Sequence, residues 1–321
     1  MDASLPTVAQ FFGACFITLN MTFVLYGISV AQGYEYAFFS KSRDSSYIKV
    51  MVCLVLLVET IHTGLVIHFL YYYAVTATDN PALVLHIAWS SAVKLICESI
   101  VVMLVHSFYI RRIWIVSGRK LWLVAILAPL LIARTAFSLS TAGLMYVHDN
   151  WIGFRDSALF TSAMSCTLLA VTDFSIASTM SYYLYVGRGA HESTNRLLHT
   201  LMAYCVNTGL VTMFCSFITL GMFVGFPERH IFAGLVDVGS KLYANSLLGS
   251  LNMRTLLRDI PKPGHSLNFN TVVSTNIQFG SGPIPSNIMS VGKQIEIYQQ
   301  TSTMEVSDAT RRTTMEHSFH E

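Results

Sequence analysis

Seven runs of the chain are each long and apolar enough to cross a hydrocarbon core, which takes about 20 residues as helix. They cover residues 8–31, 48–73, 83–110, 121–147, 158–186, 198–224 and 231–253. Inside lipid every backbone N–H and C=O must be paired within the protein, so such runs become helices or the strands of a closed barrel. None of them alternates apolar and polar residues as a barrel strand does. The sequence therefore predicts an all-α, polytopic integral membrane protein, with a seven-helix transmembrane bundle over residues 1–253. Charged residues make up 12% of the chain, about half the share of a soluble domain.

The loops give an orientation. Lys41, Arg43 and Lys49 lie at the first loop, Arg111, Arg112, Arg119 and Lys120 at the third, and Arg188 and Arg196 at the fifth. Arg254, Arg258 and Lys262 follow the last run, while the opposite side carries only Arg155 and Arg229. Positive charge collects on the cytoplasmic side, so the amino terminus is expected outside and the carboxyl terminus in the cytoplasm. The first run has no basic segment before it and reads as a retained helix. Residues 254–321 are rich in Ser, Thr, Asn, Gln, Gly and Pro and read as a disordered cytoplasmic tail. Tyr71, Tyr73, Trp114, Trp122, Trp151, Tyr182 and Tyr185 are placed at run ends, as expected of interfacial belts. All six cysteines sit within apolar runs, so no structural disulfide is expected.

Several runs carry charge near their middles. Glu59 and His62 lie in the second, Lys94 and Glu98 in the third, Arg134 in the fourth, Asp173 in the fifth, and Asp237 and Lys241 in the seventh. On the seventh run Asp237, Lys241, Asn245 and Asn252 share one narrow helical face. An ionised side chain at bilayer depth costs several kcal/mol facing lipid, so these groups must face one another or an internal cavity. Lys94 and Glu98, one turn apart, are expected to pair locally or across helices. Asn207, Thr208 and Asn245 are expected to add neutral hydrogen bonds. Two readings of this interior stand side by side: polar glue that sets packing, and the lining of a ligand cavity or ion path.

Specific chemistries find less support. Asp237-Val-Gly-Ser-Lys241 is similar to the last-helix motif of microbial rhodopsins, whose Lys carries retinal. The third run has Lys94 and Glu98 where those proteins have an Arg and Asp set, and the sixth has neither Trp nor Pro, so retinal at Lys241 is not expected. The marks of rhodopsin-like G-protein-coupled receptors are missing from the third and seventh runs. Of the eleven histidines no two lie four residues apart within a run, so no metal site is expected, and His62, His68, His86 and His106 read as ordinary membrane or interface histidines. No catalytic or nucleic-acid motif is present.

Four stretches carry a family resemblance: LYGISVAQGY at 25–34, Glu59-Thr-Ile-His62 with His68 and Tyr71, VHSFYIRRIW at 105–114, and SKLYANSLLGSLN at 240–252. Together they resemble a large group of seven-helix membrane proteins of basidiomycete fungi, whose C-terminal half holds a domain of unknown function. The resemblance spans about residues 8–254 and implies the fold without an activity. Glu59 stands where that group often has Asp, and His106 where it often has Gln.

The leading functional expectation is a receptor-like sensor. A small or lipidic ligand would bind in the bundle at Glu59, His62, Lys94, Glu98, Arg134, Asp173, Asn207, Asp237, Lys241 and Asn245. Arg111, Arg112, Arg119 and Lys120 would face a cytoplasmic signalling partner. A proton-coupled permease using the midplane acids, and a structural protein with no small-molecule role, are the alternatives. The expected setting is the plasma membrane or another membrane of the secretory pathway.

Overall fold

The computed structural model describes residues 8–40, 45–186, 192–225 and 231–258; the side chains of 8–12, 39, 40, 79, 81, 184, 192–208, 231 and 254–258 are not described. Among these residues seven long helices carry the fold. They are α1 Val8–Glu35, α2 Ser46–Tyr71, α3 Trp89–Val116, α4 Leu121–Val147, α5 Trp151–Val186, α6 Glu192–Gly225 and α7 Ile231–Arg258. The expected tail begins within the last turns of α7, and beyond Arg258 it lies outside the described residues.

Among the described residues five helical segments are long and apolar enough to cross a membrane: Gly13–Phe38, Ser46–Thr76, Trp89–Val116, Leu121–Val147 and Trp151–Tyr183. Gly209–Gly225 of α6 is a shorter apolar helix. Ser, Asn, Asp and Lys lower the hydropathy of α7, which is the most enclosed helix toward its C-terminal half. Large apolar side chains face outward, among them Ile17 at 69%, Ile132 at 68% and Phe160 at 66% exposure. A surface of that kind is stable against hydrocarbon and not against water. The all-helical architecture is that expected of a polytopic membrane protein.

The helices pack in chain order, each against the next, and α7 closes the ring on α1. Consecutive helices run in opposite directions, so the N-terminal ends of α3, α5 and α7 share one end of the bundle with the C-terminal ends of α2, α4 and α6. α3 crosses the middle to touch α7, and α2 also reaches α7. The α1–α7 contact is tight at Gly234. A Cβ built there would lie 1.8 Å from Thr18 Oγ1, 3.0 Å from Thr18 Cβ and 3.1 Å from the Cys15 carbonyl oxygen. Thr18 has little freedom to yield, because its hydroxyl donates to that same carbonyl at 2.8 Å. Gly234→Ala is therefore expected to destabilise the bundle by about 1–3 kcal/mol, the usual range for overpacking. Thr18→Ala should restore part of the loss, as read by thermal unfolding in lipid nanodiscs.

Several helix boundaries differ from expectation, and two of the starts do so for evident local reasons. The third helix starts at Trp89 and not at residue 83. Pro81–Leu85 forms a 3-10 turn, with the Asn80 side chain accepting from the Ala82 N–H at 3.3 Å, and His86 and Ala88 are extended. The fifth helix starts at Trp151, where the Asn150 side chain accepts from the Gly153 N–H at 2.7 Å. These two starts are fastened by Tyr73. Its hydroxyl donates to the His86 carbonyl at 2.7 Å and accepts from the Ala88 N–H at 3.2 Å and from Trp151 Nε1 at 3.0 Å. Tyr73 and Trp151, expected in an interfacial belt, are instead buried at this end of the bundle. Tyr71, Trp122, Tyr182 and Tyr185 are exposed, as a belt requires.

Buried apolar residues form two clusters. One includes Val55, Val101, Val105, Leu127, Met180 and Leu247. The other includes Leu19, Val66, Phe69, Tyr73, Trp151 and Phe154. On α2 the polar residues Glu59–Thr63 fall between Val55 and Val66 of the two clusters. On α4 Arg134 follows Leu131 of the first cluster by one turn. A charged layer thus lies between two apolar ones.

Candidate functional site

The charged layer is built from pairs that each join two helices. On α2 and α7, Lys241 Nζ pairs with the Glu59 carboxylate and donates to Thr63 Oγ1 at 2.9 Å, while Ser240 Oγ donates to Glu59 Oε1 at 2.7 Å. Glu59 and Lys241 are both fully buried. On α3 and α7, Lys94 Nζ donates to Asp237 Oδ2 at 2.6 Å and sits 4.1 Å from the centre of the Phe69 ring. His62 Nε2 lies 3.1 Å from Asp237 Oδ1, an ion-pair distance without hydrogen-bond alignment. On α3 and α4, Arg134 Nη2 donates to Glu98 Oε1, beside a Ser99–Ser138 hydroxyl contact of 2.7 Å.

A fourth cluster lies nearer the other end. His106 Nε2 is 2.9 Å from Asp173 Oδ1, and the Tyr243 hydroxyl donates to Asp173 Oδ2. This ties α3, α5 and α7 at one carboxylate. Tyr109 and Ser246 join α3 to α7 in the same region. Each of the midplane acids Glu59, Glu98, Asp173 and Asp237 therefore has a basic neighbour on another helix, which limits the penalty of burying it.

Of the two ways open to Lys94 and Glu98, the structure takes the one across helices: successive turns of α3 send them toward α7 and α4. Asp237 and Lys241, one turn apart on α7, likewise reach different helices, α3 and α2. Placement departs from expectation in two respects. His106 is no ordinary interface histidine but the partner of Asp173. The far edge of the α7 polar face meets α1, a helix with no midplane charge. There the Asn245 side chain donates to the Leu25 carbonyl at 3.0 Å and accepts from Ser29 Oγ at 3.0 Å, and the Asn252 side chain donates to the Gln32 carbonyl at 2.9 Å. The Asn207 and Thr208 side chains lie outside those described.

Beside this layer is a partly open cleft with a cavity volume of about 100 Å³ and residues of α2 through α7 in its walls. Its inner end holds Lys94, Glu98, Arg134, Asp237 and Tyr243. Its rim holds Met145, Trp151, Phe223 and Phe232, close to the ends of α4, α5, α6 and α7. Hydroxyls of Thr141, Thr212, Ser216 and Thr219 line it, and each donates to its own helix backbone. Ser91 Oγ, Arg134 Nε and Arg134 Nη1 are buried without a hydrogen-bond partner. Glu59 and Lys241 are not in the walls, so the charged layer divides into a pair sealed in the bundle and pairs that face the cleft. The hydroxyl-bearing positions and the unmatched guanidinium nitrogens escape sequence reasoning, because Ser and Thr are common in membrane helices and a donor's free direction is set by its neighbours.

At the opposite end of the bundle the four expected partner-surface cations lie at or near the α3–α4 turn. Arg111 and Arg112 are part of α3, so the turn itself is only Ser117–Lys120, with Gly118 and Arg119 at positive φ. Arg111 stacks on Tyr47 at 4.9 Å, Arg119 on Trp114 at 5.7 Å and Lys120 on Tyr183 at 5.7 Å. These distances suit cation–π contacts.

No group of three or more His, Cys, Asp or Glu side chains suited to holding a metal occurs among the described residues. No curated protein and no solved structure matches the chain. Residues 169–256, which hold Asp173, Asp237, Lys241, Tyr243, Asn245 and Asn252, match the model of a Family of unknown function (DUF6534).

Proposed function

We propose that this chain is a seven-span receptor-like protein, with its amino terminus outside and its carboxyl terminus in the cytoplasm, that senses a small or lipidic ligand in the cleft. The single observation that carries the reading is the cleft: a cavity walled by six helices, apolar at its rim and charged at its inner end. Ligand sites in helical bundles have this form, mostly apolar with a few convergent polar groups. With the basic loops placed in the cytoplasm, the cleft lies in the outer half of the bundle and the α3–α4 turn, flanked by Arg111, Arg112, Arg119 and Lys120, becomes the output surface. The resemblance to fungal seven-helix proteins and a setting in the plasma membrane or another secretory-pathway membrane belong to the same reading. The permease alternative draws on Glu59, Glu98 and Asp173, but Glu59 and Glu98 are paired with Lys241 and Arg134, which favours a fixed interior over a titrating path.

A ligand that binds the folded state raises stability by about 2.7 kcal/mol at one hundred times its Kd. The protein purified in lipid nanodiscs is expected to show a raised unfolding midpoint with at least one member of a broad metabolite and lipid library. A library that leaves the midpoint unchanged throughout would overturn the receptor reading.

A further inference from the structure

The inner end of the cleft carries more information than its size. Arg134 is 2% exposed. Nη2 is bound to Glu98, while Nε and Nη1 are buried without a partner. A guanidinium has five N–H donors in a fixed planar fork, and buried donors left unmatched are strongly unfavourable. Ser91 Oγ, also in the wall, is unmatched as well. These groups call for a hydrogen-bond acceptor.

Charge decides what kind. The charged groups facing the cleft from α3, α4 and α7 are Lys94, Arg134, Glu98 and Asp237, already joined in two pairs of opposite sign. A carboxylate or phosphate seated on Arg134 would add a negative charge beside Glu98 with no counter-charge left to meet it. A buried unbalanced charge is far worse than a buried neutral dipole. Shape narrows the class further. Arg134 and Met145 stand on one helix, and eleven residues of helix span about 16 Å, so the cleft runs lengthwise from its donors to an aromatic rim.

Resting on the reading of the cleft as a ligand cavity, we infer that it takes an uncharged, elongated apolar molecule bearing a carbonyl-type acceptor, an ester, ketone, lactone or amide. That acceptor sits on Arg134 Nε and Nη1, and the apolar chain runs toward Trp151, Phe223 and Phe232. The specificity element is the Arg134–Glu98 pair: Arg134 presents the donors, and Glu98 cancels the charge that would otherwise recruit an anion.

The test uses three probes of equal chain length, namely methyl decanoate, decanoate and decane, on the full chain in nanodiscs at neutral pH, read by unfolding midpoint against probe concentration. Methyl decanoate is expected to act at about ten-fold lower concentration than either of the others. In the Glu98→Leu/Arg134→Met variant, which removes the pair without leaving a lone charge, its advantage over decane is expected to vanish. A wild-type protein that prefers decanoate, or responds to ester and decane alike, overturns the assignment and does not depend on the variant folding. Preference for decanoate would leave the receptor reading standing with an anionic ligand. An equal response to all three probes in both proteins would mark simple partition into the bilayer and also overturns the assignment.

Discussion

Lys241→Met is expected to destabilise the bundle by about 3–5 kcal/mol, the range for removing one partner of a buried ion pair. The effect is large because Glu59 is fully buried and lies outside the cleft walls, so no water is at hand to replace the ammonium. Ser240 Oγ still donates to the stranded carboxylate, which reduces the penalty without removing it. Thr63 loses a donor in the same substitution. The Glu59→Gln/Lys241→Met pair should recover most of the loss, since a neutral pair in a packed interior is often as stable as the ions it replaces. Thermal unfolding of both variants in nanodiscs decides the matter. A double variant as unstable as the single one would show that Lys241 acts through packing and not through charge.

Asp237→Ala is the second large effect, expected at about 3 kcal/mol, near the lower end of the same range. It strands Lys94 and removes the neighbour of His62. Two features make it milder than Lys241→Met. The Lys94 ammonium keeps the Phe69 ring face at 4.1 Å, and a cation–π contact contributes about 0.5–2 kcal/mol. Lys94 also faces the cleft, where it can be solvated. The ranking of the two variants is thus a test of the division between sealed and cleft-facing pairs. Equal losses, or a larger loss for Asp237→Ala, would contradict it. Lys94→Met combined with Asp237→Leu should restore stability while changing the inner end of the cleft.

The residues that would make a buried layer were legible in the chain; their partners were not. Any charge in the middle of a long apolar run must avoid lipid, so Glu59, Lys94, Glu98, Arg134, Asp173, Asp237 and Lys241 announced an interior. Which acid meets which base depends on helix rotation and on neighbours in space. Spacing of four residues left Lys94 and Glu98 free to pair with each other or across helices, and it named no partner for Asp237 or Lys241. Because α3 lies between α4 and α7, its successive turns face different helices. His106 and Asp173 are 67 residues apart, and nothing local in the sequence links them. The role of α1 was equally hidden: Asn245 and Asn252 bind backbone carbonyls of Leu25 and Gln32, and a carbonyl has no sequence signature.

The same boundary separates the helix ends. The start at residue 121 and the end at 147 follow from composition alone and hold in the structure. The starts at Trp89 and Trp151 depend on Tyr73, whose hydroxyl fastens three groups from two other segments. Apolar run length and the need to pair every backbone group determined, from the sequence alone, that the chain is helical and suited to a membrane. Side-chain reach across helices decided the rest. It set the sealed Glu59–Lys241 pair apart from those that face the cleft, and it left Arg134 with donors and no charge to offer, because pairing is a property of three-dimensional neighbours and not of chain order.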